Sequence, residues 1–155
     1  MGDAARAWAR AGLVAVAVLA LDQATKGLVR HGLALGDEDA VLPAVKLVHT
    51  RNSGVAFGTF AGSTVVSVLV VVALAALLGY FATHATKPLV WLPTGMLVGG
   101  AVGNIVDRVR DGAVTDFVKL PAWPAFNLAD ASITLGVVVL LLVVERSERA
   151  ADRDG

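Results

Sequence analysis

Residues 63–82, STVVSVLVVVALAALLGYFA, run through twenty positions without one charged side chain. About twenty apolar residues are what an α-helix needs to cross the hydrocarbon of a bilayer. One such segment constrains the rest of the chain. Backbone in hydrocarbon must satisfy its own hydrogen bonds, so other crossings are helical, and irregular segments stay at the surface or inside protein. Composition agrees: 56% of the residues are hydrophobic and 17% charged, where soluble domains are nearer half apolar and about a quarter charged. The length of 155 residues allows one domain with a few spans.

Composition also excludes several function classes. The formal net charge is zero, so nothing suggests nucleic-acid binding or a polybasic membrane patch. There is no cysteine, which rules out a disulfide framework, thiolate metal sites and a cysteine nucleophile. His31, His49 and His84 are scattered, so no His-rich metal site and no cofactor is expected.

Three further segments read as spans. A short polar start with Arg6 and Arg10 precedes an apolar run over about 11–29. A basic start before such a run also fits a cleaved signal peptide, but the length suits a crossing. Asp22 and Lys26 lie four apart with the acid first, so they pair on one helix face. Ionisable groups in a span usually face the bundle interior; the alternative is a snorkelling lysine neutralised by its neighbour. Either way the pair reads as structural support. The third span, about 89–107, holds Gly95, Gly99 and Gly103 four apart on one face. Small residues at this spacing let another helix approach closely in lipid, whether an intramolecular neighbour or a bound segment. Gly100, Asn104 and Asp107 share a further face, so the glycine-lined side runs on into a polar one. The fourth span, about 127–145, opens with Asn127 as a good N-cap and Asp130 in the first turn, where the helix dipole favours a carboxylate.

Two segments cannot span. In 31–62, Gly32, Gly36, the run Asp37-Glu38-Asp39 and Pro43 break any helix. VKLVHT, RNSG and VAFGTF then read as two extended pieces around a turn at Asn52-Ser53-Gly54, suited to a small sheet. In 108–126, an Asp-Gly turn at 111–112 precedes a short extended VTDFV, and Trp123 is an interfacial anchor. The expected architecture is a mainly α integral membrane protein: a four-helix transmembrane bundle in a single domain, 1–155, with a small sheet and a short second loop together on one side of the membrane. Both termini share one face. Loop charge does not orient the chain. Arg6, Arg10, Lys87, Arg146, Arg149 and Arg153 stand against Lys26, Arg30, Lys46, Arg51, Arg108, Arg110 and Lys119, which is too even for the positive-inside rule.

In this plan the polar clusters at 22–26, 52–57, 104–116 and 127–130 gather at one face of the membrane. Separate caps and turns have no need to do so; a shared site does. Two carboxylates held close cannot both ionise and so share a proton. One then serves as base to a water while its protonated partner polarises a carbonyl. Asp130 is one candidate; spacing does not choose between Asp107 and Asp116 for the other. A channel would also need polar groups near the midplane. A non-catalytic tetraspan scaffold would need no carboxylate pair.

Five stretches in order carry a resemblance. They are Asp22-Gln23-Ala24-Thr25-Lys26; Asn52-Ser53-Gly54-Val55-Ala56-Phe57; Gly99-Gly100-Ala101-Val102-Gly103-Asn104-Ile105-Val106-Asp107-Arg108; Val114-Thr115-Asp116-Phe117; and Phe126-Asn127-Leu128-Ala129-Asp130. In these the chain resembles the lipoprotein signal peptidases (signal peptidase II). The resemblance spans the first to the fourth crossing; the loops 33–46 and 109–113 and both termini carry no part of it. It implies an aspartic endopeptidase of the bacterial inner membrane with cytoplasmic termini and an extracytoplasmic site. The substrates would be diacylglyceryl-modified prolipoproteins diffusing in membrane lipid and cut before the lipidated cysteine, by a monomer without metal. Globomycin-type inhibitors would occupy the same cleft. It assigns Asp116 and Asp130 as catalytic, Asn52, Gly100, Asn104, Arg108 and Asn127 as lining the site, and Asp22, Lys26 and Asp107 as support.

Overall fold

A computed structural model of the chain describes residues 2–53 and 63–154. The charge-free run forms a helix, Ser63–His84, and three more helices occupy the other apolar segments: Asp3–Gly32, Trp91–Asp111 and Leu128–Asp154. In chain order these are α1, α2 (Ser63–His84), α3 and α4. Three strands complete the fold: β1 (Glu38–Leu42), β2 (Val45–Asn52) and β3 (Val114–Lys119).

α3 is the central helix, packed against α1, α2 and α4, and its glycines explain how. A Cβ added at Gly95 would lie 2.6 Å from the Ala11 carbonyl, and one at Gly99 2.6 Å from that of Ala15. The row spaced by four therefore seats α1 backbone to backbone, as small residues allow in lipid. Gly103 continues the row against Asp22, while a Cβ at Gly100 would lie 2.6 Å from the Ala129 carbonyl of α4. The close-packing expectation holds. Its alternative, room for a bound helix along these glycines, is corrected: α1 and α4 already fill that space. At the far end of α1 the core is completed by Phe81, buried, with the Trp8 ring edge-on at 4.6 Å.

α1, α2 and α4 are long and apolar enough to cross a membrane. Leu13, Leu69 and Leu141 stand outward on their surfaces, as expected where the surrounding solvent is hydrocarbon. α3 is less apolar, because it carries Asn104, Asp107 and Arg108. α1 begins at Asp3, ahead of the expected residue 11, and α4 continues to Asp154, beyond the expected end of the span at about 145. An Arg149–Glu145 pair at 2.5 Å, one turn apart, supports that extension. α3 ends where the Asp-Gly turn predicts, with Gly112 left-handed (φ 72°) and its N–H bonded to the Arg108 carbonyl, the usual terminator for a helix.

The sheet is antiparallel in the order β1-β2-β3, with Thr50 opposite Asp116 and Lys46 opposite Lys119. β2 and β3 match the extended pieces read at 45–50 and 114–118. The partner expected for β2, residues 55–60, lies outside the described residues. β1 is instead built from the end of the acidic run, Glu38 and Asp39, which reads only as a helix breaker, and the three residues after it. It is an exposed edge strand, a place where charge is tolerated and useful. Glu38 receives both Lys46 (2.8 Å) and Lys119, clamping the edge to the far strand.

Candidate active site

At the end of the bundle nearest the sheet, β3 carries Asp116 between α1 and α3. The residue is 2% exposed. Its Oδ2 accepts from Asn52 Nδ2 at 3.1 Å and its Oδ1 from Asn127 Nδ2 at 2.7 Å. The Thr50 hydroxyl donates to its backbone carbonyl, fixing the strand at this position. Asp130 sits in the first turn of α4. Its Oδ1 accepts from Asn104 Nδ2 at 2.8 Å and its Oδ2 from the Asn127 N–H at 3.3 Å, while Asn127 Oδ1 accepts from the Asp130 N–H at 2.9 Å. This is the reciprocal arrangement of a capping box. Asn127 is thus bonded to both carboxylates.

The amides have no freedom to turn. Lys26 Nζ reaches Asn104 Oδ1 at 2.9 Å. An ammonium only donates, so the amide oxygen faces Lys26 and the NH₂ faces Asp130. In the same way the Asp130 N–H holds the oxygen of Asn127 and leaves its NH₂ for Asp116. Both carboxylates therefore face donors set from behind.

Behind them lies a buried ion cluster. Lys26, wholly buried, pairs with Asp22 at 2.8 Å and with Asp107 at 3.0 Å. Asp22 Oδ1 accepts the N–H of Ala129, one of the unpaired donors at the start of α4. Asp107 Oδ2 accepts the N–H of Thr115, the neighbour of Asp116. Gln23 Nε2 lies within hydrogen-bond distance of Asp22, Asp107 and the Gly103 carbonyl. Arg30 donates to the Thr115 hydroxyl at 3.2 Å and lies 3.7 Å from both Asp107 and Asp111. One cluster so fixes α1, α3, α4 and β3 relative to each other.

Asn52, Asn104, Asn127, Asp116 and Asp130 form one hydrogen-bonded group, with Asp22, Lys26 and Asp107 directly behind. Gly100 lies at the α3–α4 contact and Arg108 beside the group. Arg108 donates through NH1 to the Asn104 carbonyl at 3.4 Å; its buried Nε has no partner among the described residues. Residues 54–57 of the second motif lie outside the described residues. Sequence reasoning assigned no role to Gln23, Thr115 or Arg30. Arg30 had a usable signal, standing one turn beyond Lys26 on the same face; Gln23 and Thr115 act across elements and had none.

Burial of Asp116, then the charge of Asp130, push the Asp116 carboxyl up to about 6, against the opposing donors Asn52 and Asn127 and the more distant Lys26. Asp116 thereby takes up a proton more readily than a free carboxyl, beside a second carboxylate. That is the arrangement needed to activate water and polarise a carbonyl together.

Comparison with known proteins gives a consistent result. The family model described as signal peptidase (SPase) II matches residues 14–145. A lipoprotein signal peptidase of Methylobacterium sp. (strain 4-46) is 45% identical over 89% of this chain and 90% of its own length. That of Halothermothrix orenii is 34% identical over 90% of this chain and 98% of its own. A solved bacterial membrane enzyme superposes with a TM-score of 0.80 at 31% identity, covering 86% of this chain and 91% of that one. A match of this length takes in all the elements that meet at the two aspartates, and the chain belongs to the signal peptidase II family.

Proposed function

We propose that Asp116 and Asp130 are the catalytic carboxylates with which this aspartic peptidase removes lipoprotein signal peptides. The substrate is a diacylglyceryl-modified prolipoprotein, cut immediately before its lipidated cysteine. The observation that carries this reading is Asn127, whose side chain bonds Asp116 and whose backbone N–H bonds Asp130.

In this mechanism Asp116 is the member that carries the shared proton, its affinity for one raised by burial and by the charge of Asp130. Ionised Asp130 takes a proton from water as the water oxygen attacks the scissile carbonyl carbon. Asp116 gives its proton to the carbonyl oxygen. The tetrahedral intermediate then collapses: the C–N bond breaks, the proton taken by Asp130 passes to the leaving cysteine nitrogen, and one hydroxyl of the intermediate returns its proton to Asp116 as the new carboxyl forms. Asn52, Asn104 and Asn127 hold the carboxylates in register. Arg108 borders the space where the substrate lies, while Gly100, expected to line the site, instead seats α4 against α3.

The reading extends to topology. Spans at about 11–29, 63–82, 89–107 and 127–145 put both termini in the cytoplasm of a bacterium and segments 31–62 and 108–126 outside its inner membrane. α1 and α3 finish, and α4 starts, at the end that carries the aspartates, which is consistent with a site at the outer edge of the bilayer. A lipidated substrate brings its scissile bond to that level, where water is present. One chain supplies every residue named, so a monomer suffices.

The test is cleavage of a diacylglyceryl-prolipoprotein by purified protein, with the unlipidated form as control. Asp116→Asn and Asp130→Asn should each fold and each lose roughly a hundredfold or more of the rate. Processing by Asp130→Asn at the normal rate would overturn the proposal.

A further inference from the structure

Toward the opposite end of the bundle, the link between α2 and α3 passes beside the middle turns of α4. An apolar groove of about 580 Å³ lies between them, formed by Leu89, Val139, Leu142 and Val143, with Lys87 and Arg146 also lining it. Val139, Val143 and Arg146 fall at i, i+4 and i+7 on one face of α4, so an apolar surface leads up to a cation. Among the described residues neither basic side chain has an acidic partner. The nearest acid along α4, Glu145, is taken by Arg149. Leu89 is held in a left-handed backbone (φ 62°) and is 50% exposed, so an apolar side chain is kept at the surface despite the strain.

An apolar groove in a helix surface that faces hydrocarbon accepts an acyl chain. Two cations at its rim, without an acidic partner among the described residues, add a preference for negative charge. A zwitterionic headgroup brings its own cation to its phosphate and gains less from them. A soluble anion would use the cations and leave the groove unused. We infer that the groove binds one anionic phospholipid of the phosphatidylglycerol type, with an acyl chain along Leu89 and Leu142 and its phosphate between Lys87 and Arg146. The inference is independent of the aspartates, which lie at the other end of the helices.

The full chain is reconstituted in phosphatidylcholine nanodiscs containing a minority of phosphatidylglycerol, and retained lipid is counted by native mass spectrometry. The wild-type protein should keep phosphatidylglycerol in preference to phosphatidylcholine. Lys87→Gln with Arg146→Gln, both at the surface, should lower that preference roughly ten- to thirtyfold, since each basic residue near an anionic lipid contributes separately. Val139→Trp fills the groove without changing charge and should reduce retention as well. Arg149→Gln, the same charge change nearby, should leave the preference intact. Equal retention of the two lipids by wild type, or an unchanged preference in the double variant, overturns the inference. So does equal protection against thermal unfolding by inorganic phosphate, which would make the site one for free anions.

Discussion

Asp116 is an acid kept where its charge is unwelcome, and that has a thermodynamic signature. Its carboxyl titrates near 3.8 when free and near 6 when folded. Between those values the folded state binds the extra proton, so this group's contribution to stability is complete below about 4 and is lost as pH rises through 6. Other groups titrate in the same range, so the useful quantity is a difference. Subtracting the pH dependence of unfolding of Asp116→Asn, which lacks this carboxyl, from that of wild type should leave a wild-type term that falls from pH 4 to pH 7. Thermal melts in detergent across that interval measure it; a flat or rising difference would remove the case for a proton on Asp116. At this scale the sequence was informative about kind and less so about partner. Asn127 and Asp130 could be read as a helix start, and they are one. What no spacing disclosed is that the side chain of the capping asparagine also reaches Asp116.

Between elements, the bonds that matter are the glycine seam and the Lys26 cluster. Gly99→Leu would drive a side chain into the Ala15 carbonyl, 2.6 Å from the first added carbon. It should destabilise by about 1–3 kcal/mol or more, seen as a lower unfolding temperature together with lost processing. Lys26→Met leaves Asp22 buried without its cation and Asp107 with only Arg30, 3.7 Å away. Removing one member of a buried ion pair costs about 3–5 kcal/mol. Asp22→Asn combined with Lys26→Met should recover part of that loss, because one of the stranded charges is gone. If melts show the double variant no better than Lys26→Met alone, the pairing is not what stabilises the cluster. The helices were legible because apolar length and glycine spacing are local properties. β1 was not, because Asp37, Glu38 and Asp39 argue against a helix without arguing for a strand. Its place depends on Lys46 and Lys119, the second of which lies about eighty positions further on.

For the molecule as a whole, the arrangement of polar residues at one end was readable once the spans were drawn. Its orientation was not, because the basic residues divide almost evenly. The absence of natural cysteine makes the question directly testable. Val109→Cys, at an exposed site near the end of α3, should react with a membrane-impermeant thiol reagent added outside intact cells. Thr86→Cys, in the α2–α3 link, should react only after the membrane is opened. The reverse pattern would invert the proposed topology.

Asp22 has a consequence for how such a protease is made. It sits on the first helix to be synthesised, yet its carboxylate holds the opening N–H of the last one, while Lys26 beside it sets the amide of Asn104 on the third. A partly inserted chain therefore has the acids without their geometry. On the proposed roles of Asp116 and Asp130, hydrolytic capacity arrives only when α4 docks, so a chain that has not yet placed α4 cannot cut.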